Sequence, residues 1–237
     1  MELWLLLGII TFFSSVTLRL AGFGAAMVGV PLFTPLIGVT TAVPLMTLLG
    51  VSNTAIAVGQ FRKRLNPPDV WQLLVGLAVG IPIGVASIAY LDERFLRVVI
   101  GATCLLFAAY RFVKLPLPEV VDTRWRFLVG TLSGLLGGAI SIPGVPVVVY
   151  AETQNWEIER YRINLFTFFL TSASISTISR LVAGQFTETI LVYFLQAIPF
   201  LLAGQLVGHL LTRYVDRGLF RYLVLVLIAG LGVRLVL

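Results

Sequence analysis

The chain has 237 residues, 58% of them hydrophobic and only 12% charged, with a net charge of +6. Soluble domains carry roughly a quarter charged residues, so a water-soluble fold is excluded in favour of an integral membrane protein whose solvent is the bilayer. The basic residues sit in short clusters between apolar runs, the pattern of the positive-inside rule. They form no basic face interleaved with aromatics, so no nucleic-acid partner is expected.

Met1-Glu2 leads straight into an apolar stretch without the basic start of a signal peptide, and reads as the beginning of the first membrane segment. Runs with few or no charges cover 3–18, 20–61, 70–91, 98–110, 127–151, 163–179, 189–212 and 222–233. A spanning helix needs roughly 20 apolar residues. The run 20–61 is therefore too long for one span, and Ile37-Gly38-Val39-Thr40-Thr41 reads as a turn inside it. The single cysteine, Cys104, lies in an apolar run and reads as a small buried hydrophobe. One cysteine allows neither an internal disulfide nor a thiolate metal cluster.

Landmarks recur in the same order in two halves. Gly22-Phe23-Gly24-Ala25-Ala26-Met27-Val28-Gly29-Val30-Pro31 is answered by Gly137-Gly138-Ala139-Ile140-Ser141-Ile142-Pro143-Gly144-Val145-Pro146. Thr47 to Thr54 resembles Thr167 to Ser174, Ile81-Pro82 matches Ile198-Pro199, and Asp92 with Arg97 matches Asp216 with Arg221. The expected organisation is a first membrane repeat over 1–113, a cytoplasmic linker over 114–124 and a second repeat over 125–237. Each repeat is a broken or re-entrant helical hairpin followed by three transmembrane helices. Those helices are expected near 42–61, 70–91 and 95–113, then 161–181, 188–212 and 219–236. In the first half the hairpin arms are 3–20 and 23–36, and the first arm has the length to span. In the second half, 127–151 doubles back with arms of about a dozen residues, too short to cross at 1.5 Å per residue.

Charge decides the orientation. With hairpins that return to the side they started from, the loops at 62–69, 111–126, 152–162 and 213–221 share one side and hold twelve Lys and Arg. The other side holds Arg94, Arg97 and Arg234. The positive-inside rule makes the first side cytoplasmic, both termini non-cytoplasmic and the repeats inverted. The fold class expected is an all-α integral membrane protein of two inverted repeats, multi-pass in a bacterial inner membrane.

The candidate site lies at the hairpin tips, where Gly22 and Gly24 face Gly137 and Gly138 across the repeats. A helix that begins at mid-membrane presents unpaired N–H groups and the positive end of its dipole, which favour an anion. Substrate-binding candidates are Gly22, Phe23, Gly24, Ser141 and Gly144 at the tips, with Ser52, Asn53, Gln60, Asn164 and Ser172 nearby. Their uncharged donors suit a carrier that must release what it binds; their alternative role is interhelical hydrogen bonding. Thr54, Thr171, Ser174 and Ser176 add to that polar set. Arg19 has two readings that stay open, a cation facing the cavity or a side chain snorkelling to the interface. Arg180 reads as an end-of-helix anchor, and His209 as a hydrogen-bonded structural histidine. Gly8, Gly76, Gly80 and Gly101 read as packing glycines. No Asp or Glu lies inside a span, so a carboxylate proton or sodium site is not expected; the coupling ion, proton or sodium, stays open, as does the oligomeric state. No nucleotide P-loop motif occurs and no cofactor is expected.

These motifs carry a resemblance. The Gly22-Phe23-Gly24-Ala25-Ala26 run with Pro31-Leu32, followed by Ser52-Asn53-Thr54, is similar to the first repeat of the TauE/SafE sulfite-exporter family. Ser133-Gly134-Leu135-Leu136-Gly137-Gly138 with Pro143 and Pro146 resembles its second repeat. Arg62-Lys63-Arg64 before Pro67-Pro68-Asp69-Val70 looks like a loop joining its spans. Ala25, Ala26, Ala139 and Ile140 stand where the family pattern usually has more glycine. The resemblance implies a secondary transporter, exporting small sulfur-containing anions such as sulfite, thiosulfate or organosulfonates like sulfoacetate. Other classes weighed are an anion channel, a carrier of a different small anion, a membrane subunit of a larger complex and an intramembrane enzyme. The last lacks paired carboxylates, a His/Cys cluster or a Ser–His dyad on one helix.

Overall fold

The structure is a computed structural model that describes residues 2–22, 24–59, 70–113, 122–154, 156–212, 214–215 and 217–237, with the side chains at 57–59, 123 and 217 left aside. Among the described residues there are ten α-helices and no strand: α1 (Leu3–Ala21), α2 (Ala25–Ile37), α3 (Val39–Gly59), α4 (Trp71–Ser87), α5 (Glu93–Val113), α6 (Thr123–Ile140), α7 (Gly144–Thr153), α8 (Ile158–Val182), α9 (Glu188–Leu211) and α10 (Arg217–Val236). Helix is the form in which each apolar run satisfies its own backbone without water. Buried hydroxyls follow the same rule: those of Thr11, Thr34 and Thr47 donate to the carbonyl four residues back at 2.8–3.0 Å.

Among the described residues, six helices, α1, α3, α5, α8, α9 and α10, are long and apolar enough to cross a membrane. Leucines 191, 195, 202 and 206 on α9 and Leu219, Leu223, Val226 and Leu227 on α10 are exposed. Such stripes are unstable in water and natural against lipid tails. The protein is a multi-pass integral membrane protein.

Buried small residues set the packing. α4 and α6 run side by side in the same direction, with Gly76, Gly80 and Gly84 against Gly130, Gly134 and Gly138, four residues apart on each helix. A Cβ on Gly80 would stand 2.2 Å from the Thr131 carbonyl oxygen, and one on Gly130 2.2 Å from that of Leu73. This is backbone-on-backbone association between small residues. α1 and α9 also run in the same direction, with Gly204 against Phe12 and Ser15 and Gly208 against Val16 and Arg19. α5 meets α10 through Gly101 and Gly232, and α3 lies on α8. Gly8 packs on the Phe200 ring, so the packing role expected of Gly8, Gly76, Gly80 and Gly101 is the one observed. If α1–α5 are exchanged with α6–α10, these four pairings map onto one another.

Most expected helices lie within about four residues of their observed ends. The second hairpin differs. Its first arm is 18 residues rather than a dozen, about 27 Å at 1.5 Å per residue. The helix starts earlier because the Asp122 carboxylate caps it by accepting from the Arg124 N–H at 2.9 Å. Its end is also later. Gly137 and Gly138 are not the tip but the last full turn of α6, where Gly138 lies on the α4 backbone beside Ile81 and Val85. The reversal falls at Ser141 to Pro143. In the first half the turn 37–41 shrinks to Gly38 alone, in a positive-φ conformation (φ 74°).

Candidate functional site

Two helix starts meet at one cavity of about 90 Å³. α2 begins at Ala25 after Gly22 and Gly24, both at positive φ (81° and 92°), a conformation open to glycine at little cost. α7 begins at Gly144, after Ser141 turns left-handed (φ 57°) and Pro143 disfavours helix at the residue before it. Gly24 to Met27 and Gly144 with Val148 line the cavity. The first N–H groups of a helix have no partner within it, and with the dipole they attract negative charge. α3 adds Met46, Thr47, Gly50, Asn53 and Thr54; α8 adds Phe169, Ser172, Ala173 and Ser176.

Two polar groups in and behind this wall lack a natural complement. Asn53 is 1% exposed; its Oδ1 accepts from Gln205 Nε2 at 2.6 Å, and its Nδ2 has no acceptor among the described residues. Leaving such a donor buried and unmatched costs about 1–3 kcal/mol. Arg180 is fully buried, and no acidic side chain among the described residues pairs with it. It is held instead by neutral acceptors. Nε donates to Thr47 Oγ1 at 3.0 Å, one Nη donates to Gln185 Oε1 at 2.6 Å, and the other to the Gly138 carbonyl. Thr47 Oγ1 lies 2.7 Å from Ser141 Oγ, which also reaches the Val43 carbonyl at 2.9 Å. The cation is thus one hydroxyl behind the cavity wall. A buried unpaired charge is expensive, and an anion in the cavity would offset that cost.

Of the residues singled out in the sequence, Gly24, Asn53, Ser141, Gly144 and Ser172 line this cavity, as do Thr54 and Ser176. Others do not. The Ser52 hydroxyl donates to the Leu48 carbonyl of its own helix at 3.0 Å. Asn164 is buried in α8 and is not among the lining residues. Arg19 is half-buried with its stem against Gly208, outside the cavity. Gly22 lines a second cavity, of about 420 Å³, beside Arg111, Arg162 and Arg221. Phe23 and Gln60 lie outside the described residues. His209 is exposed on α9 with no side-chain hydrogen bond to a described residue, so it is not the held histidine expected. Arg180 is the largest correction: its guanidinium turns into the protein rather than anchoring a helix end. Ser172, Ser176 and Arg180 are four residues apart on one helix face, and that spacing is the signal that assigns Arg180 to the cavity side.

The chain is 24% identical to the protein named "Probable sulfite/organosulfonate exporter TauE" of Cupriavidus necator, over 98% of this chain and 91% of that protein. No solved structure matches the chain significantly. The family described as "Sulfite exporter TauE/SafE" matches residues 7–235, and with that coverage of nearly every helix the chain belongs to the TauE/SafE family of membrane transporters.

Proposed function

We propose that this protein is a secondary carrier that exports small sulfur-containing anions, such as sulfite, thiosulfate or organosulfonates like sulfoacetate, by alternating access. The site is the cavity between the starts of α2 and α7. One observation carries the reading: two helix N-termini, the Asn53 amide and the buried Arg180 converge on a single cavity, and all four favour an anion. Arg180 acts through Thr47 and Ser141 rather than on the anion directly. The donors are uncharged at the wall, so the anion is held without a direct ion pair and can leave.

The two halves, 1–113 and 125–237, are inverted repeats in this reading. Support comes from the parallel pairs α1 with α9 and α4 with α6. With helices that alternate in direction along each half, α1 and α6 then point opposite ways. The twelve Lys and Arg on one set of loops make that side cytoplasmic in a bacterial inner membrane. A membrane-impermeant maleimide should therefore label Ala183→Cys from outside whole cells and leave Glu157→Cys unlabelled. The reverse pattern would overturn the orientation.

The function is tested by counterflow in proteoliposomes. Sulfite, thiosulfate, sulfoacetate and taurine are compared with acetate and chloride, with and without a proton or sodium gradient. Saturable exchange of a sulfur oxyanion or sulfonate is the expected result, and its gradient dependence identifies the coupling ion. Chloride-selective conductance without exchange would make the protein a channel and sink the carrier reading.

A further inference from the structure

The second cavity is larger than the first, about 420 Å³, and differently charged. Among the described residues, Arg111, Arg162 and Arg221 line it together with one acid, Glu152. Glu152 is engaged by the Arg111 guanidinium and by Tyr110 Oη at 3.1 Å. The described lining side chains sum to two positive units. Glu157 and Glu159 nearby are exposed and are not part of the lining. Trp156 and Tyr161 complete the wall, and Trp156 is set edge-on to Tyr150 at 6.1 Å between ring centroids.

Its position relative to the first cavity follows from shared helices. On α1, Leu18 lines the first cavity and Ala21 the second. On α7 the pair is Val148 and Ala151, and on α8 it is Phe169 and Leu165–Phe166. Each step is three or four residues, about 5 Å along a helix. The two cavities are therefore consecutive, separated by one layer of apolar side chains.

We propose that this chamber is a second anion-binding site, a vestibule that gathers small oxyanions (sulfonate, sulfite or phosphate groups) one helical turn from the first cavity. Two net positive charges between low-dielectric walls focus the field and raise the local anion concentration. Arginine forks bind such groups bidentately. Loading without commitment suits this place, since the chamber is wide and rimmed by the exposed Arg221. Its role in feeding the first cavity rests on the transport reading above; its binding of an anion does not.

Trp156 supplies a readout independent of transport. The full chain is purified in detergent with Trp4, Trp71 and Trp125 each changed to Phe, which leaves Trp156 as the one tryptophan. Its fluorescence is quenched with iodide, caesium and neutral acrylamide. Iodide should quench about fivefold more strongly than caesium, and methanesulfonate should protect against iodide. The double variant Arg162→Gln, Arg221→Gln should lose most of the iodide preference while acrylamide quenching, which reports the same accessibility, stays unchanged. Equal quenching by iodide and caesium, or a double variant that keeps the preference, would overturn the site. Protection by phosphatidylglycerol but not by methanesulfonate would overturn the soluble anion as ligand and leave a lipid headgroup. In proteoliposomes the same double variant should raise KM about fivefold with kcat retained. Wild-type protein that shows the iodide preference yet transports nothing would sink the transport reading and leave the anion site standing.

Discussion

The seams α4–α6 and α1–α9 occupy equivalent places when the two halves are exchanged, yet they are built from different materials. In the first, six glycines interlock almost wholly backbone to backbone, with only the Thr131 hydroxyl reaching in beside Gly76. In the second, Gly204 also meets a backbone carbonyl, that of Phe12, but side chains fill the rest: Ser15 at Gly204, the Arg19 stem at Gly208 and the Phe200 ring at Gly8. A glycine seam has no rotamers to change, so it admits one packing and moves as a block. A seam with side chains can repack by small steps, which is how packed helices slide past one another. Each seam also reaches the cavity by its own polar link. Arg180 ties α8 to the Gly138 carbonyl, and Gln185 extends that link to the Val85 carbonyl at 3.2 Å. Gln205 ties α9 to Asn53 on α3. In the alternating-access cycle proposed above, the contrast would make α4–α6 the fixed frame and α1–α9 the moving element.

The largest expected effect breaks the frame. Gly80→Ala puts a methyl 2.2 Å from a backbone carbonyl that is itself held in a helix. Overpacking of this kind costs typically 1–3 kcal/mol and here about 3 or more, because no flexible side chain can yield. Size-exclusion chromatography in detergent should give little monodisperse protein. A normal yield with unchanged thermal stability would mean the two helices are free to separate, and the fixed-frame assignment would fail.

Next comes the link to the frame. Arg180→Met removes the buried charge while keeping a long apolar stem. Replacing buried charges with apolar groups is often neutral or stabilising, so the thermal midpoint should hold or rise. Transport should fall on the order of 100-fold, the loss expected when one member of a buried charge interaction is removed. Arg19→Gln should change transport by less than about threefold, since its stem lies on Gly208 outside the cavity and a partly exposed charge contributes little. Equal losses in the two variants would return the functional cation to Arg19.

These two arginines also mark where sequence reading reached its limit. The apolar runs placed most helices well, because in lipid a run of about 20 apolar residues has few alternatives to a helix. Five cavity-lining residues among the candidates, Gly24, Asn53, Ser141, Gly144 and Ser172, were legible from the duplicated tip motif and the polar residues after it. Gly137 does line the cavity, against Pro143 and Ser172, but Gly138 belongs to the α4 seam, because glycine serves reversals and close helix packing alike. Their neighbours held the distinction, since Gly130, Gly134 and Gly138 recur every four residues opposite Gly76, Gly80 and Gly84. Arg180 was misread because a charge near the end of a run snorkels by default. Only its register with Ser172 and Ser176 turns it inward, and Thr47, Gly138 and Gln185, which hold it, come from distant parts of the chain.

The link to the moving seam is weaker. Asn53→Leu removes the unmatched Nδ2 donor along with the Gln205 bond. Loss of one hydrogen bond to a charged group is worth about 1.5–3 kcal/mol, so KM should rise roughly tenfold or more. Gln205→Leu keeps the Asn53 donor and should change KM by a smaller factor while altering kcat, if α9 moves during the cycle. The reverse order would make Gln205 the binding group and Asn53 its support.

The smallest expected effect is the sharpest test of the contrast between the seams. A Cβ on Gly8 would meet the Phe200 ring at 2.6 Å, a clash as close as that at Gly134 in the glycine seam, 2.7 Å. The obstacle here is a side chain, and a ring can rotate aside where a carbonyl cannot. Gly8→Ala should therefore cost about 1 kcal/mol, the size of an ordinary substitution, against the failure expected of Gly80→Ala. Detergent-melting curves for the two variants measure the difference directly. If Gly8→Ala is as damaging as Gly80→Ala, then the Phe200 ring is locked, the α1–α9 seam is as rigid as its counterpart, and the moving element must be sought among α2, α7 and the helices that follow them.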